Sequence, residues 1–565
     1  MVQDHQQLFN DLQGIVGQHS LLTQKSKINP YCKGFRTTSG HALAVIIPNN
    51  LIELWQVLQC CVAQNIIILM QASNTSVTGG STPHHKGYDR DVIIVSVKKI
   101  TAIQLLDNAQ QVIAFPGNTL TELENALKPF NKEPHSVIGS SCIGASVVGG
   151  ICNNSGGSLI RRGPAFTEKY LFAQINEDGQ LVLVNHLGID LGVTPEEILS
   201  NLETESYHYG DAADWEGKLW ADDYADRLRQ VDANEPTRFN GDPQYLHECS
   251  GSTGKLAVFA VRLPTFDAIK STEAFYIGSN DEQSFVELRR YLLKNLSQLP
   301  IQAEYIHRSA FDLTVQYAKH MYKVIDYLGP DKIPQILSLK NSADEVFKKI
   351  PFLPNNTVDR VLQLINRVTP NGIEKRIANF HEKYDHHLVI KIDAEQNKEF
   401  EDLMQNFFNT ASGEYFKCDA KEAKNAFLIR FAVGGCAGYY CDSKNININE
   451  RLVALDIALK ANDEQFMLEL PPELDQQVEL TSSCGHFFCY VIHQDYLLKP
   501  GYDAEAFKHS MVQYLEQRGA KYPAEHNVGH MYQASADYQA FMQKLDPTNS
   551  FNPGIGKTSK KKFWK

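Results

Sequence analysis

Short apolar runs separated by polar loops fill the first half of the chain, and one of these runs is followed by a loop of unusual composition. Residues 66–70 are apolar and mostly β-branched, which predicts a buried strand. The loop that follows, Gln71–Pro83, contains almost only small hydroxyl, amide and glycine residues. A second segment of this kind, Gly139–Ser158, holds six glycines and seven serines or cysteines in twenty residues. Both segments are poor material for a packed core.

Loops of this composition leave backbone N–H groups uncovered, and successive uncovered N–H groups bind phosphate oxygens. Two such loops therefore predict a diphosphate held from two sides. A flexible linker is the alternative, but Ile143, Val147 and Val148 would serve no purpose in a solvated segment. Neither loop spells the Rossmann pattern G-x-G-x-x-G. Gly556–Thr558 is not a P-loop, because Phe551 occupies the position of the first glycine.

The character of the sequence changes near residue 265. Leu256–Leu263 is apolar and β-branched, which predicts the last strand of a first domain over 1–265. Beyond it, strands are predicted at Glu273–Ile277 and His387–Lys391, and an amphipathic helix at Asp281–Leu296. This mixture predicts a second, α+β domain over 266–515.

Composition narrows the class of protein. The net charge of −12 comes from residues 176–235, which contain 15 acidic and three basic side chains. No dominant basic face remains, which argues against a nucleic-acid partner. We expect the acidic region 200–235 within that segment to be an exposed excursion from the first domain. The chain has 11 cysteines without a C-x-x-C pair, no apolar run of 18 residues and no signal-peptide pattern, so reduced thiols and no spanning helix are expected.

Three motifs together resemble a known family. They are the 66–83 segment, Ala114–Leu127 and Pro134–Ala165. They resemble the FAD-binding domain of flavoenzymes of the vanillyl-alcohol-oxidase type, and nearly the whole chain resembles the membrane-associated, quinone-linked D-lactate dehydrogenases of bacteria. The resemblance implies an α+β fold, with a PCMH-type FAD domain of two α+β subdomains and an α+β substrate cap. It also implies that 516–565 return to the FAD domain.

The resemblance assigns the two small-residue loops to FAD. Val258, on the predicted strand, would line the same pocket. No histidine lies in residues 71–83, so a covalent histidyl link there is excluded and the flavin is expected to be bound non-covalently. The predicted contacts are Ala72, Ser73, Asn74, Thr75, Ser76, Gly80, Ser81, Gly139, Ser146, Gly156 and Val258.

A group of histidines near the C-terminus could carry chemistry. His486 and His493 are seven residues apart, and Glu525 and His526 follow some thirty residues later. Two histidines and a carboxylate suit a divalent metal, but histidines satisfied within the core are the alternative. An odd spacing sends the two rings to opposite faces of a straight strand, so their convergence requires a turn or bulge between them.

The resemblance gives these residues roles. Related 2-hydroxy-acid dehydrogenases carry metal on the equivalents of His486, His493 and Glu525, and the equivalent of His526 takes the proton. The D-lactate enzymes are not generally described as metalloproteins, and the Gly-Asp-Gly of the metal-binding relatives is not found between the two histidines here. A protease zinc helix is excluded, because Asn527 stands where that mechanism needs glutamate.

Arg430 is the best candidate for holding a substrate carboxylate. A guanidinium can bind a carboxylate through two parallel hydrogen bonds. In relatives an arginine in a similarly placed segment does so, and the alternative is an arginine whose head extends from an apolar element to water.

Basic segments suggest contact with a lipid surface. Lys340–Arg376 has seven basic and four acidic residues, and the tail Lys557–Lys565 has five lysines and two aromatic residues. Basic and aromatic side chains favour the surface of an anionic bilayer, although a solvated charge run is an equal alternative. The resemblance favours a helical membrane-facing segment over 325–376, with peripheral attachment at the cytoplasmic face of the bacterial inner membrane.

These observations lead to one expected function. The resemblance implies oxidation of D-lactate to pyruvate, with the C2 hydrogen leaving as hydride for FAD and the electrons passing to membrane quinone. Two alternatives remain open at this point. One is a dehydrogenase or oxidase of the same fold for another 2-hydroxy acid, such as 2-hydroxyglutarate or glycolate. The other is a non-catalytic, nucleotide-binding membrane scaffold.

Overall fold

The computed structural model describes residues 5–34, 39–135, 143–208, 215–328, 339, 343, 347 and 357–565. Gly139, among the predicted flavin contacts, lies outside the described residues. Lys348 and Lys349, in the predicted basic segment, also lie outside them.

The first subdomain is a small sheet with helices packed on it. Its order is β1-β2-β4-β3, and β2, β4 and β3 run parallel. The helix Leu51–Ala63 begins at Asn50, whose side chain accepts a hydrogen bond from the backbone N–H of Glu53 at 2.7 Å. The strands are β1 Leu21–Leu22, β2 Ala44–Ile46, β3 Ile67–Gln71 and β4 Val92–Ser96. The other helices are Gln6–Val16 and Lys25–Ile28.

The second subdomain is an antiparallel sheet of order β5-β6-β10-β8-β9, with β7 paired to β10. The predicted strand at 256–263 forms the first part of β10, as expected. The strands are β5 Ile103–Leu106, β6 Gln111–Ala114, β7 Lys132–Pro134, β8 Tyr170–Ile175, β9 Leu181–Asn185 and β10 Ala257–Asp267. The helices are Leu120–Leu127, Val147–Cys152, Pro195–Glu203 and Tyr224–Leu228. The two α+β subdomains are those that the sequence predicts.

The second domain contains a seven-stranded antiparallel sheet of order β14-β11-β13-β12-β16-β17-β15. All three predicted elements are present, as β11, β13 and the helix Glu282–Asn295. Its strands are β11 Thr272–Ser279, β12 Gln302–His307, β13 His386–Asp393, β14 Glu414–Lys417, β15 Leu452–Ala458, β16 Val478–His486 and β17 Val491–Leu498.

Helices cover both faces of this sheet, because successive side chains of each strand point to opposite faces and both sets are largely apolar. One face, with Phe275 and Ile390, packs on the helices Glu282–Asn295, Asn397–Phe408 and Ala504–Gln517. The other face, with Tyr276 and Val389, packs on the helices Arg308–Tyr317 and Ala420–Lys444. The remaining helices are Lys319–Leu328, Thr357–Val368, Lys375–Lys383, Ile448–Arg451, Pro472–Asp475 and Ala536–Leu545.

The acidic segment differs from its prediction as an exposed excursion. Tyr224 and Leu228 are fully buried and belong to the core of the second domain. Arg229 donates from Nη1 to the carbonyl oxygen of Leu293 at 2.7 Å. The prediction is wrong here because it used the net charge of the whole segment, whereas each face of the helix is buried or exposed according to its own residues. Two apolar residues four positions apart share one helix face, and the acidic residues occupy the other.

The C-terminal tail packs against the first domain. The backbone of Ile68 in β3 donates to Ser550 and accepts from Asn552, at 2.9 and 3.0 Å. Further along, the Lys560 ammonium group donates to the carbonyl oxygen of His84 at 2.7 Å. The indole N–H of Trp564 donates to the backbone carbonyl oxygen of Asp546 at 2.8 Å. The side chains of Lys560 and Trp564 are therefore held by contacts with the protein.

Candidate active site

A cleft of about 1080 Å³, part of it open solvent, lies between the two small-residue loops. Nine of the predicted flavin contacts line it, namely Ala72, Ser73, Asn74, Thr75, Ser76, Gly80, Ser81, Ser146 and Val258. Its lining includes His526 and, among the residues that the structure describes, no aspartate or glutamate. A wall of small residues without carboxylates suits a bound diphosphate.

The loops owe their shape to local backbone contacts. After β3 the chain turns through residues with left-handed backbone, Asn74 at φ 54° and Gly79 at φ 73°. Gln71 donates from Nε2 to the carbonyl oxygen of Ser81 at 2.8 Å, which closes the base of this loop. In the second loop the Ser146 hydroxyl accepts from the backbone N–H of Gly149 at 3.1 Å. These contacts help to fix the shape of the two loops that line the cleft.

Two glycines are required for a reason other than the one that the sequence suggested. A methyl group on Gly80 would collide with the side-chain amide of Asn527. A methyl group on Gly156 would lie 2.7 Å from Oε1 of Glu525 and 2.9 Å from Cζ of Arg238. Gly156 does not line the cleft, although its neighbour Ser155 does. In both cases the close approach is to another part of the protein, which joins the flavin loops to the segment that bears His526.

The two predicted histidines converge because the expected turn is present. β16 ends at His486, and β17 begins at Val491 and contains His493. The two strands are antiparallel neighbours, with Cys484 opposite His493. The imidazole rings lie 5.5 Å apart between centroids and are nearly perpendicular.

Glu525 is the centre of a buried network of charges. Its Oε2 atom lies 3.1 Å from Nε2 of His486 and 3.6 Å from Nε2 of His493. Its Oε1 atom accepts from Nη2 of Arg238, a side chain that is itself 2% exposed. Burial alone would raise the pKa of Glu525, but the positive charges of His486 and Arg238 outweigh it and hold that pKa well below its usual range.

Glu304 extends the network to Arg430. This carboxylate is 3% exposed, and its oxygens lie 3.0 Å from Nδ1 of His486 and 2.9 Å from Nε of Arg430. Burial would lower the pKa of His486, but Glu304 and Glu525 raise it to about 10. The Arg430 side chain, on the helix Ala420–Lys444, is 12% exposed and does not line the cleft. Glu304 therefore lies between Arg430 and His486 and contacts both side chains.

His526 lies between this network and the cleft. Asp456 of β15 accepts at Oδ2 from the backbone N–H groups of Glu525 and His526, at 2.8 and 3.1 Å. Its other oxygen lies 3.2 Å from Nδ1 of His493. Burial alone would raise the pKa of Asp456. The neighbouring His526 and His493 outweigh this effect, so the pKa lies below its ordinary value. His526 itself is exposed, so its imidazole is accessible from the cleft.

Three residues of the network were missed by the sequence prediction. Glu304 and Asp456 each stand as a lone acid within a mostly apolar strand, and such a position was a usable signal, because an unpaired buried carboxylate is costly. Arg238 follows a strongly acidic segment, where one more basic residue reads as an ordinary surface charge. No local pattern distinguishes it.

The donor set fits a divalent metal. The Nε2 atoms of His486 and His493 and a carboxylate oxygen of Glu525 lie within 4.8 Å of one another. Both Nδ1 atoms face carboxylates, Glu304 and Asp456, and metal-bound histidines usually have such partners. The same contacts also form an ion-pair network. The side chains satisfy one another without an ion and could equally hold one.

Comparisons with solved structures define the class of the fold. The structure superposes on p-cresol methylhydroxylase with substrate bound at a TM-score of 0.59 and 12% identity, over 99% of this chain and 97% of that chain. It superposes on alkyldihydroxyacetonephosphate synthase at 0.59 and 10% identity, over 98% and 85%. These likenesses show that the chain has the vanillyl-alcohol-oxidase type of fold, and an FAD binding domain model that matches residues 42–170 adds the cofactor.

Sequence comparisons identify the family. A family model described as D-lactate dehydrogenase, membrane binding, matches residues 274–564, and an FAD binding domain matches 42–170. The quinone-dependent D-lactate dehydrogenase of Escherichia coli (strain K12) is 49% identical, over 99% of this chain and 98% of that protein. That of Haemophilus influenzae (strain ATCC 51907 / DSM 11121 / KW20 / Rd) is 48% identical, over 99% of both. The chain belongs to the family of quinone-dependent D-lactate dehydrogenases.

We predict that the histidine and glutamate set binds a divalent metal. Elemental analysis of protein purified without chelator should find about one ion per chain, as expected for two imidazoles and a carboxylate. Glu525→Gln, which removes the negative ligand, should contain little or none. Val193→Asp, at an exposed position of the first domain, is the control and should retain the ion. Metal-free wild-type protein with full activity would show that the set works as ion pairs alone.

Proposed function

We propose that this chain oxidises D-lactate to pyruvate with FAD bound in the cleft, and passes the electrons to a membrane quinone. Family membership supports the reaction. The observation that carries the site assignment is the position of His526, which is exposed in the cleft and fixed by Asp456 to the charged network. A non-catalytic scaffold would not need these buried charges beside its nucleotide cleft.

FAD, held between the two small-residue loops, would supply the redox chemistry for oxidation at C2 of lactate. The chain holds and orients the substrate. Arg430 binds the carboxylate: its Nε is held by Glu304, and among the described residues no partner lies on its two terminal nitrogens. A guanidinium fixed in this way presents two parallel N–H donors to the substrate.

His526 takes the proton of the C2 hydroxyl group. An imidazole suits this task, because its ordinary pKa lies near the working pH. As it takes the proton it becomes positively charged, and the buried carboxylate of Asp456 beside its backbone favours that charge. The proton stays on the imidazole until it is released to water through the open side of the cleft.

A metal, if bound, would be held by His486, His493 and Glu525. It would supply a positive charge near His526. The roles of Arg430 and His526 do not depend on it.

The second domain offers a surface for peripheral attachment to the membrane. Among the described residues, no helix is long and apolar enough to cross a bilayer. Val361 and Leu364 lie on one face of the helix Thr357–Val368 and are 52% and 61% exposed. Arg360 beside them is also exposed. Apolar and basic side chains on one helix face suit an anionic lipid surface, and we place this surface at the cytoplasmic face of the inner membrane.

We predict that His526→Ala slows flavin reduction by D-lactate by about two to four orders of magnitude, the usual contribution of a positioned base. Arg430→Lys should chiefly raise KM, because a lysine lacks the two parallel donors. Anaerobic rapid mixing with D-lactate measures the first effect, and a dye-coupled assay measures the second. Both variants should contain wild-type amounts of FAD. Reduction of His526→Ala at the wild-type rate would mean that another group is the base.

We predict that attachment to membranes is electrostatic and interfacial. Vesicles rich in anionic lipid should pellet the protein at low salt and release it as salt rises. Salt screens the attraction between exposed charges, which at ordinary salt acts only within a Debye length of about 8–10 Å. Val361→Asp and Leu364→Asp should weaken both pelleting and quinone reduction while dye-coupled oxidation stays intact.

The matched control is Val193→Asp, an 89% exposed valine of the first domain, which should pellet like the wild type. Equal binding to neutral and anionic vesicles, insensitive to salt, would contradict this account of attachment.

A further inference from the structure

A lysine of the second domain lies beside the proposed carboxylate clamp without an anionic partner of its own. Lys391 is on β13, and its neighbour across the sheet is Gln302 of β12. Its ammonium group lies 4.4 Å from the centre of the Phe427 ring. Phe427 is on the helix Ala420–Lys444, three residues before Arg430, so the two side chains share one side of that helix. Lys391 and Arg430 therefore approach the same place from the sheet and from the helix.

The nearest carboxylate does not neutralise Lys391. Glu304 lies two residues along β12 from Gln302, and its two oxygens are taken by Arg430 and His486. Gln302 adds a third contact, donating from Nε2 to Oε1 of Glu304 at 3.2 Å. Among the described residues, no carboxylate forms an ion pair with Lys391 within 4.0 Å. Burial lowers the pKa of Lys391 and Glu304 raises it again in part, which shows an ammonium group partly removed from water.

The substrate is an anion, and its charge needs a counter-charge. Arg430 can orient a carboxylate, but its own charge is already balanced by Glu304 at 2.9 Å. Since Glu304 partly offsets the charge of Arg430, a cation without such a partner attracts a second anion more strongly. Transfer of a charge out of water is unfavourable unless an opposite charge or several donors receive it. Lys391 is a cation beside the clamp that forms no ion pair within 4.0 Å among the described residues.

We propose that Lys391 is a specificity-determining residue, which supplies the counter-charge for the carboxylate of the 2-hydroxy acid that Arg430 orients. This inference rests on the proposed function. The division of labour is that Arg430 fixes the geometry, while Lys391 draws in the anion and balances its charge. The loss of Lys391 should therefore weaken the binding of the anion more than it slows the chemistry once the substrate is bound.

The test compares variants of the FAD-loaded protein in a dye-coupled assay. Lys391→Met keeps the length of the side chain and removes its charge, and it should raise KM for D-lactate about tenfold, with kcat within about twofold. Lys391→Arg keeps the charge and should stay near the wild type. Titration with oxalate, followed by the absorbance of the bound flavin, gives a readout independent of turnover, and its Kd should rise in parallel for Lys391→Met.

The matched control is Lys383→Met. Lys383 is also a lysine of the second domain, close to β13, but it is paired with Glu414 at 2.6 Å on the surface, and its loss should leave KM unchanged. Unchanged KM and oxalate affinity in Lys391→Met, together with a raised KM in Arg430→Lys, would overturn the role of Lys391 and leave the clamp standing. Unchanged KM in both variants would overturn the clamp itself.

Discussion

The structure depends on a buried carboxylate, Glu525, that requires positively charged or hydrogen-bonding partners. Glu525 is 7% exposed, and an isolated carboxylate at such a position would cost several kcal/mol. Its oxygens are compensated by Arg238, His486 and His493. Removing one partner of a buried pair typically costs about 3–5 kcal/mol, more than any single surface contact in this chain could contribute. The requirement to pair Glu525 therefore constrains everything around it.

The partners of Glu525 come from distant parts of the chain, and so the pairing fixes the arrangement of the domains. Arg238 follows the acidic segment, the two histidines belong to the sheet of the second domain, and Glu525 lies in the C-terminal segment 516–565. Gly156 of the flavin loop approaches the same pair, with its backbone N–H 3.4 Å from the carbonyl oxygen of Glu525. One interaction thus fixes the segment that bears His526, the second domain and the flavin cleft relative to one another. The burial of Tyr224 and Leu228 has the same consequence, because it anchors the acidic segment that carries Arg238.

The sequence predicted those features that have a local cause. The flavin loops follow from composition, the strand at 256–263 from β-branched runs, and the turn between His486 and His493 from the parity of their spacing. The role of Arg238, the burial of the 221–231 segment and the docking of the tail have no local cause. Each is decided by partners that are distant in the sequence, such as His84 for Lys560 at a separation of 476 residues, or Glu525 for Arg238 at a separation of 287 residues. Gly80 and Gly156 show the same limit, since their sequence context indicated close approach but not what approaches.

The most direct test of this account is the rate of flavin reduction in Arg238→Met. The substitution removes the guanidinium from Glu525 but leaves both flavin loops and His526 in the sequence. Anaerobic rapid mixing of the FAD-loaded variant with D-lactate should show wild-type flavin content and reduction slowed by about a hundredfold, because the group that bears His526 is no longer held in place. Reduction at the wild-type rate, with flavin content unchanged, would contradict the claim that the pairing of Glu525 organises the site.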